Sequence, residues 1–365
     1  MHMADALLSP AVGGTLWIVS AATIAFCSRR VRNEMDSRKI PLMGVLGAFI
    51  FAAQMINFTI PFTGSSGHLG GGLILAILLG PYAAFLTIAS VLVVQAFFFA
   101  DGGLLALGCN IFNLGFFPAF IAYPLIYKKI VGTTPTSTKI SVASLLAAVI
   151  GLQMGAFSVV LETVASGISS FPFATFAVIM QPIHLAIGVV EGLVTASVIS
   201  FVYNARPDIM RSAIETRPKT NQPGRTLVLI FLAIAVVTGG VVSWYASKEP
   251  DGLEWAITKI TGRKELKNSE QGLHGTLAVL QKKMAFLPDY AFRKPEEAPV
   301  ETLEQSEKTP DMKTEARRLG TSVSGIIGGV LTLGLSFLIG SMLKRKETDH
   351  RKRGDRPLIY NINHP

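Results

Sequence analysis

Long apolar runs constrain this chain more than any other feature. A membrane-crossing helix needs about 20 apolar residues. Such runs occupy 10–28, 40–59, 104–126, 140–161, 180–203, 226–246 and 322–343. The stretch from Leu69 to Ala100 exceeds one helix and carries Gly80-Pro81 in its middle. It reads as a short pair, 69–81 and 82–99, with a single span plus a re-entrant piece as the alternative. Segment 163–179 is interrupted by Gly167 and Pro172 and reads as a loop against the bundle. The expected fold is therefore an all-α polytopic membrane protein, a bundle of about nine transmembrane helices arranged as seven plus two. Composition agrees: 16% of residues are charged, against roughly 25% in soluble domains, and the mean hydropathy is +0.47.

The net charge of +9 raises the question of a nucleic-acid partner. The positions of the basic residues argue against one. They cluster in short segments between apolar runs: Arg29, Arg30, Arg32, Arg38 and Lys39; Lys128, Lys129 and Lys139; Arg206, Arg211, Arg217, Lys219 and Arg225; and the tail beginning at Lys344. Lys and Arg favour the cytoplasmic side of a bilayer. Nine crossings put all four segments on that side and the amino terminus outside. The apolar run from residue 11 has no basic stretch before it, unlike a cleavable signal peptide, so the terminal methionine is expected to persist. Cys27 and Cys109 lie in or beside apolar stretches and form no zinc or redox motif.

The chain divides into a bundle over 1–205, a cytoplasmic linker over 206–225, a two-helix unit over 226–345 and a basic cytoplasmic tail over 346–365. The two-helix unit carries a polar segment, 247–321, expected outside, which opens with Glu249-Pro250-Asp251-Gly252-Leu253-Glu254-Trp255. Its Pro- and Glu-rich part, 294–311, reads as a flexible linker.

His2 has particular chemistry. A terminal amine, the His2 backbone nitrogen and its imidazole can close adjacent five- and six-membered rings on one cation. Deprotonation of the amide would put three nitrogens in one plane, which suits Ni²⁺ or Cu²⁺ and not tetrahedral zinc. His68, in Gly64-Ser65-Ser66-Gly67-His68-Leu69-Gly70-Gly71-Gly72, is expected at the same membrane face. Two readings stand at this point: a metal pair, or a solvent-exposed terminal histidine beside a glycine-rich turn. His184 and Glu191 are seven residues apart and share a helical face; they read as supports for a ligand or as structural polar contacts. Asn57, Asn110 and Ser66 are further candidates to support a ligand. Asp101, Glu162, Gln54, Gln95, Asn113 and Gln153 are other polar interruptions of apolar segments. There is no Walker A sequence, no HExxH and no serine-hydrolase motif, so the sequence offers no enzyme reading and no ATPase of its own.

Met1-His2-Met3-Ala4-Asp5-Ala6-Leu7-Leu8-Ser9-Pro10, the 64–72 segment, Gln95–Asn113 and Pro182–Ala196 together resemble the cobalt/nickel substrate-binding membrane subunit of energy-coupling-factor ABC transporters. The resemblance covers about residues 1–205. Pro250, Asp251, Gly252, Leu253 and Glu254, with their flanking spans, resemble a two-helix accessory protein associated with nickel uptake, as in a fusion of the two subunits. The resemblance implies metal ligation by the Met1 amine, the backbone and side chain of His2, and His68. It implies a transmembrane coupling subunit and cytoplasmic ATPases as partners in a prokaryotic inner membrane, amid membrane lipid and without nucleic acid. The implied cargo is Ni²⁺ or Co²⁺, nickel slightly preferred, with no resident cofactor, and the accessory unit is expected to assist metal loading. An ATPase-independent facilitator or channel and a membrane-embedded enzyme are the competing classes. Ala6 stands where the family usually has glycine; a tight turn there would be strained.

Overall fold

The computed structural model describes residues 2–34, 39–169, 171–206, 225–263, 266, 272–293 and 310–344. Met1, most of the 206–225 linker, most of the 294–311 linker and the basic tail lie outside the described residues.

The fold is an all-α membrane bundle. Its helices are α1 (Pro10–Glu34), α2 (Ile40–Gln54), α3 (Gly72–Leu79) and α4 (Pro81–Phe98), α5 (Leu107–Val131), and α6 (Ser137–Ser166), α7 (Phe173–Ala205), α8 (Arg225–Gly240), α9 (Gly252–Thr261), α10 (Gly272–Met284) and α11 (Pro310–Leu343). Among the described residues, six of these are long and apolar enough to cross a membrane; α2 and α8 are shorter apolar helices. Ile18, Val178, Leu193 and Val330 project from them more than half exposed. In water such surfaces would be costly; in lipid they are the satisfied face of a helix whose backbone polar groups are paired internally. Pro118 and Pro124 lie inside α5, and its middle, Phe112–Tyr127, winds in wide π-type turns. Proline supplies no N–H and obstructs the preceding turn, and the wider winding accommodates both.

Two expectations are corrected. Segment 163–179 is mostly helical: α6 continues to Ser166 and stops where Gly167 turns left-handed (φ 65°), and α7 starts at Phe173, directly after Pro172. The breakers are effective only where they stand. The expected 69–81 helix is also only partly wound. Its eight helical residues, 72–79, rise about 12 Å, well short of a bilayer core of about 30 Å. The preceding residues, 68–71, are unwound and buried. Such backbone is tolerated at depth only when protein satisfies it. Here it is: Glu191 accepts from Gly70 N–H (3.1 Å) and Gly71 N–H (3.0 Å), and Gln54 donates to the Gly70 carbonyl (2.8 Å). Gly80 (φ 88°) then turns the chain into α4.

Helices α8 and α11 pack on each other and on α2, so the two-helix unit leans on the first bundle. A two-stranded hairpin, β1 (Phe58–Ile60) and β2 (Ser65–Gly67), closes one end of the bundle.

Candidate metal centre

The first residues of the chain run into that same end as a buried plug. Asp5–Leu7 forms a short 3₁₀ turn. Asp5 accepts from Ala106 N–H (2.9 Å), Asn110 accepts from Met3 N–H (2.8 Å) and donates to the Met3 carbonyl (3.3 Å), and Gly103 N–H donates to the same carbonyl (2.9 Å). A side chain at Gly103 would collide with the Asp5 carboxylate. Trp17 and Ser20 of α1 bond the carbonyls of Leu104 and Gly108. The 99–110 segment is thus a socket for the plug. Ala6 is not among the residues with positive φ, so alanine fits the turn without strain.

The plug carries His2 to His68. The two imidazole rings are parallel within 4°, their centroids 4.9 Å apart. His2 Nδ1 lies 3.2 Å from an Asp101 carboxylate oxygen, and its Nε2 is buried without a hydrogen-bond partner. His68 Nδ1 is 3.1 Å from the Leu69 carbonyl, and its Nε2 is 3.9 Å from Asp251. Burial holds the His68 imidazole down to about 3, so the ring is neutral at any physiological pH. Among the described residues, no three His, Cys, Asp or Glu side chains are arranged to hold an ion; the side-chain nitrogens that meet here are two imidazoles.

The segment 249–255 lies directly on this centre, a placement that sequence reasoning did not reach. Ser66 N–H donates to the Pro250 carbonyl (2.8 Å), its hydroxyl to the Glu249 carbonyl (2.7 Å), and Ser66 and Asp251 form a parallel β-bridge. Each residue of the Pro-Asp-Gly-Leu-Glu motif then has a physical task. Pro250 offers its carbonyl. Asp251 caps α9 by accepting from the N–H groups of Leu253 and Glu254 (both 2.9 Å), and Glu254 returns the bond in a capping box. Gly252 sits where a Cβ would come within 3.1 Å of His184 and Ile187. Leu253 is buried. Trp255 donates to the Thr63 carbonyl (2.9 Å).

The remaining candidates fall in distinct places. His184 is buried beside Gly252, with Nδ1 2.8 Å from the Met180 carbonyl and Nε2 unpartnered. Glu191 holds the Gly70–Gly71 backbone below His68. Asn110 secures the plug. Asn57 contributes its backbone carbonyl to Ser247 N–H (2.7 Å). Three residues emerge that the sequence did not single out for the centre. Asp5 fixes the plug. Asp101 had appeared only as a polar interruption. Tyr290, whose hydroxyl donates to Asp101 (2.5 Å), lies 189 positions away in sequence, beyond the reach of any local pattern.

Comparison with known proteins follows the same division. Residues 2–209 match the model of the cobalt uptake substrate-specific transmembrane region, and residues 225–345 match the PDGLE domain. A protein of Archaeoglobus fulgidus named as a fused nickel transport protein is 30% identical over 339 residues, covering 93% of this chain and 98% of its own. A cobalt transport protein of Sorangium cellulosum is 29% identical over 58% of this chain and 94% of its own. A crystal structure of a transition metal transporter superposes with a TM-score of 0.51 at 26% identity, covering 58% of this chain and 97% of that one.

Proposed function

As this chain belongs to the cobalt uptake substrate-specific transmembrane family, a family of metal transport proteins, we propose that it captures Ni²⁺ or Co²⁺ for an ATP-driven importer. The capture face is the outer side of a prokaryotic cytoplasmic membrane, and a transmembrane coupling subunit with cytoplasmic ATPases supplies the power stroke. The observation that carries this reading is the pair of parallel, buried imidazoles of His2 and His68.

The donor set would be the Met1 amine, the His2 amide nitrogen, His2 Nδ1 and His68 Nε2. Four nitrogens of this kind favour a square-planar ion, and nickel is the closer fit. The full-length fused relative named for nickel supports the same preference. Chelation by Nδ1 needs a half-turn of the His2 ring about Cβ–Cγ, because Nδ1 now faces Asp101. That turn keeps the ring plane, puts Cδ2 where Nδ1 stood and brings Nε2 to the former place of Cε1 on the same flank. Asn57, Ser66, Asn110, His184 and Glu191 support the centre in this reading without contributing donors. The accessory motif at 250–254 shields it and assists loading.

Metal analysis of the purified chain, with Ni²⁺ and Co²⁺ in competition, tests the cargo. Nickel is expected to win and to be displaced by acid, since the amine and amide must shed protons to bind. Placing one extra residue before Met1 should weaken binding by at least a hundredfold in calorimetry; unchanged affinity would overturn the amine's role. Uptake in cells that persists without an ATPase would favour a facilitator instead.

A further inference from the structure

The His2 side of the centre is reached by the far end of the external segment, Gly272–Phe292. Gln281 donates to the carbonyls of Ala96 and Gly102 (2.9 and 2.7 Å), and the N–H groups of Leu287 and Asp289 donate to the carbonyls of Phe98 and Phe99. The Tyr290 ring stacks on Phe99 with centroids 5.0 Å apart. Its hydroxyl meets one oxygen of Asp101 at 2.5 Å, while the other oxygen lies 3.2 Å from His2 Nδ1. The backbone on both sides of this contact is unusual. The described non-glycine residues with positive φ are Phe62, Ala100, Asp289 and Tyr290. The last three meet at the Asp101–Tyr290 bond. A bulky residue at positive φ is disfavoured, and such backbone persists only where surrounding contacts enforce it, often at functional sites.

We propose that Tyr290 is a positioning residue for the metal centre: it fixes the Asp101 carboxylate, which faces His2 Nδ1 in the metal-free centre and, after the half-turn that chelation requires, receives the N–H of Nε2 on that flank while the ring binds the cation. The accessory unit thereby completes the outer support of a ligand that belongs to the other unit. A histidine ligand whose second nitrogen donates to a carboxylate has a fixed tautomer and ring orientation and a more basic donor nitrogen. This inference rests on His2 being a ligand, as proposed above.

The test uses the full-length chain and Ni²⁺ alone. Tyr290→Phe keeps the ring on Phe99 and removes only the hydroxyl. It is expected to weaken Ni²⁺ binding about tenfold to a hundredfold, the range for the outer partners of metal ligands. Asp101→Asn should do at least as much, and the double variant should be no weaker than Asp101→Asn alone, because both act through one chain of contacts. The visible absorption band of the bound Ni²⁺ should keep its position in Tyr290→Phe and fill at higher metal concentration. Wild-type affinity in Tyr290→Phe, or additive losses in the double variant, would overturn the proposal. His2→Ala separates the two readings. If it abolishes binding while Tyr290→Phe does nothing, only the positioning role fails. If His2→Ala binds normally, the chelation reading fails.

Discussion

The two histidines are approached from opposite ends of one polar segment, and the two arms are built differently. The His68 arm, Glu249–Trp255, is a strand-like edge followed by a capped helix. It offers Ser66 two backbone carbonyls, that of Pro250 to the N–H in β fashion and that of Glu249 to the hydroxyl, and its motif is contiguous. The His2 arm, from His274 to Tyr290, sets single side chains spread over 17 positions, with the backbone N–H groups of Leu287 and Asp289, against different parts of the plug or its socket. The first arm fixes a shape; the second fixes individual polar groups. Together they give each histidine a carboxylate neighbour, Asp251 for His68 and Asp101 for His2.

The sharpest way to break this comparison is Gly252→Val. A side chain there meets His184, Ile187 and Ile183, and overpacking of this kind costs about 1–3 kcal/mol. The first arm should lift. Hydrogen exchange at Ser66 is expected to rise at least tenfold, while the 96–103 segment stays protected by the second arm. Loss of protection at both places would mean that the arms act as one.

A pH titration sharpens the same contrast from the His68 side. The folded ring titrates at about 3, and the unfolded ring near 6.5. Between those values the unfolded chain holds a proton that the folded chain lacks, so stability is full above about 6.5 and falls as the pH drops toward 3. His68→Gln should flatten this decline by up to about 1.4 kcal/mol per pH unit, measured by thermal unfolding of the metal-free protein. An unchanged slope would deny His68 its buried, neutral state.

The smallest effect is expected from His274→Ala. It removes one bond from the second arm, His274 Nε2 to the Leu8 carbonyl (2.8 Å), worth about 1 kcal/mol. Melting should drop modestly while Ni²⁺ affinity stays near wild type, because the Tyr290–Asp101–His2 contacts do not pass through it. A large loss of affinity would make the plug's seating, and not the ring's orientation, the controlling quantity.

These differences also explain what the sequence disclosed. The long apolar helices were legible because hydropathy reports burial in lipid directly. His2 could be singled out because a histidine at the second position suggests chelation, and the structure adds that its ring meets that of His68. The capping logic of Asp251 and Glu254 is local as well, yet what the motif docks on is not, since Ser66 lies about 185 positions earlier. The half-wound stretch before α3 was hidden because extended and helical backbone can be equally apolar; the three glycines at 70–72 were its trace, and Glu191, more than a hundred residues on, was its cause. Asp101 and Tyr290 gain meaning only from each other.

That unwound stretch also bears on the direction of traffic. Just below the paired imidazoles, the Gly70–Gly71 amides are sealed by Glu191, and Gly72 abuts the Leu114 backbone closely enough to exclude a side chain. A cation resting between His2 and His68 would stand on a shut floor. Opening it means parting two amides from a carboxylate, at about 1.5–3 kcal/mol for each bond, before any route inward exists. On the proposed reading, capture and passage are therefore separate events, because the floor beneath the two histidines is closed by protein contacts.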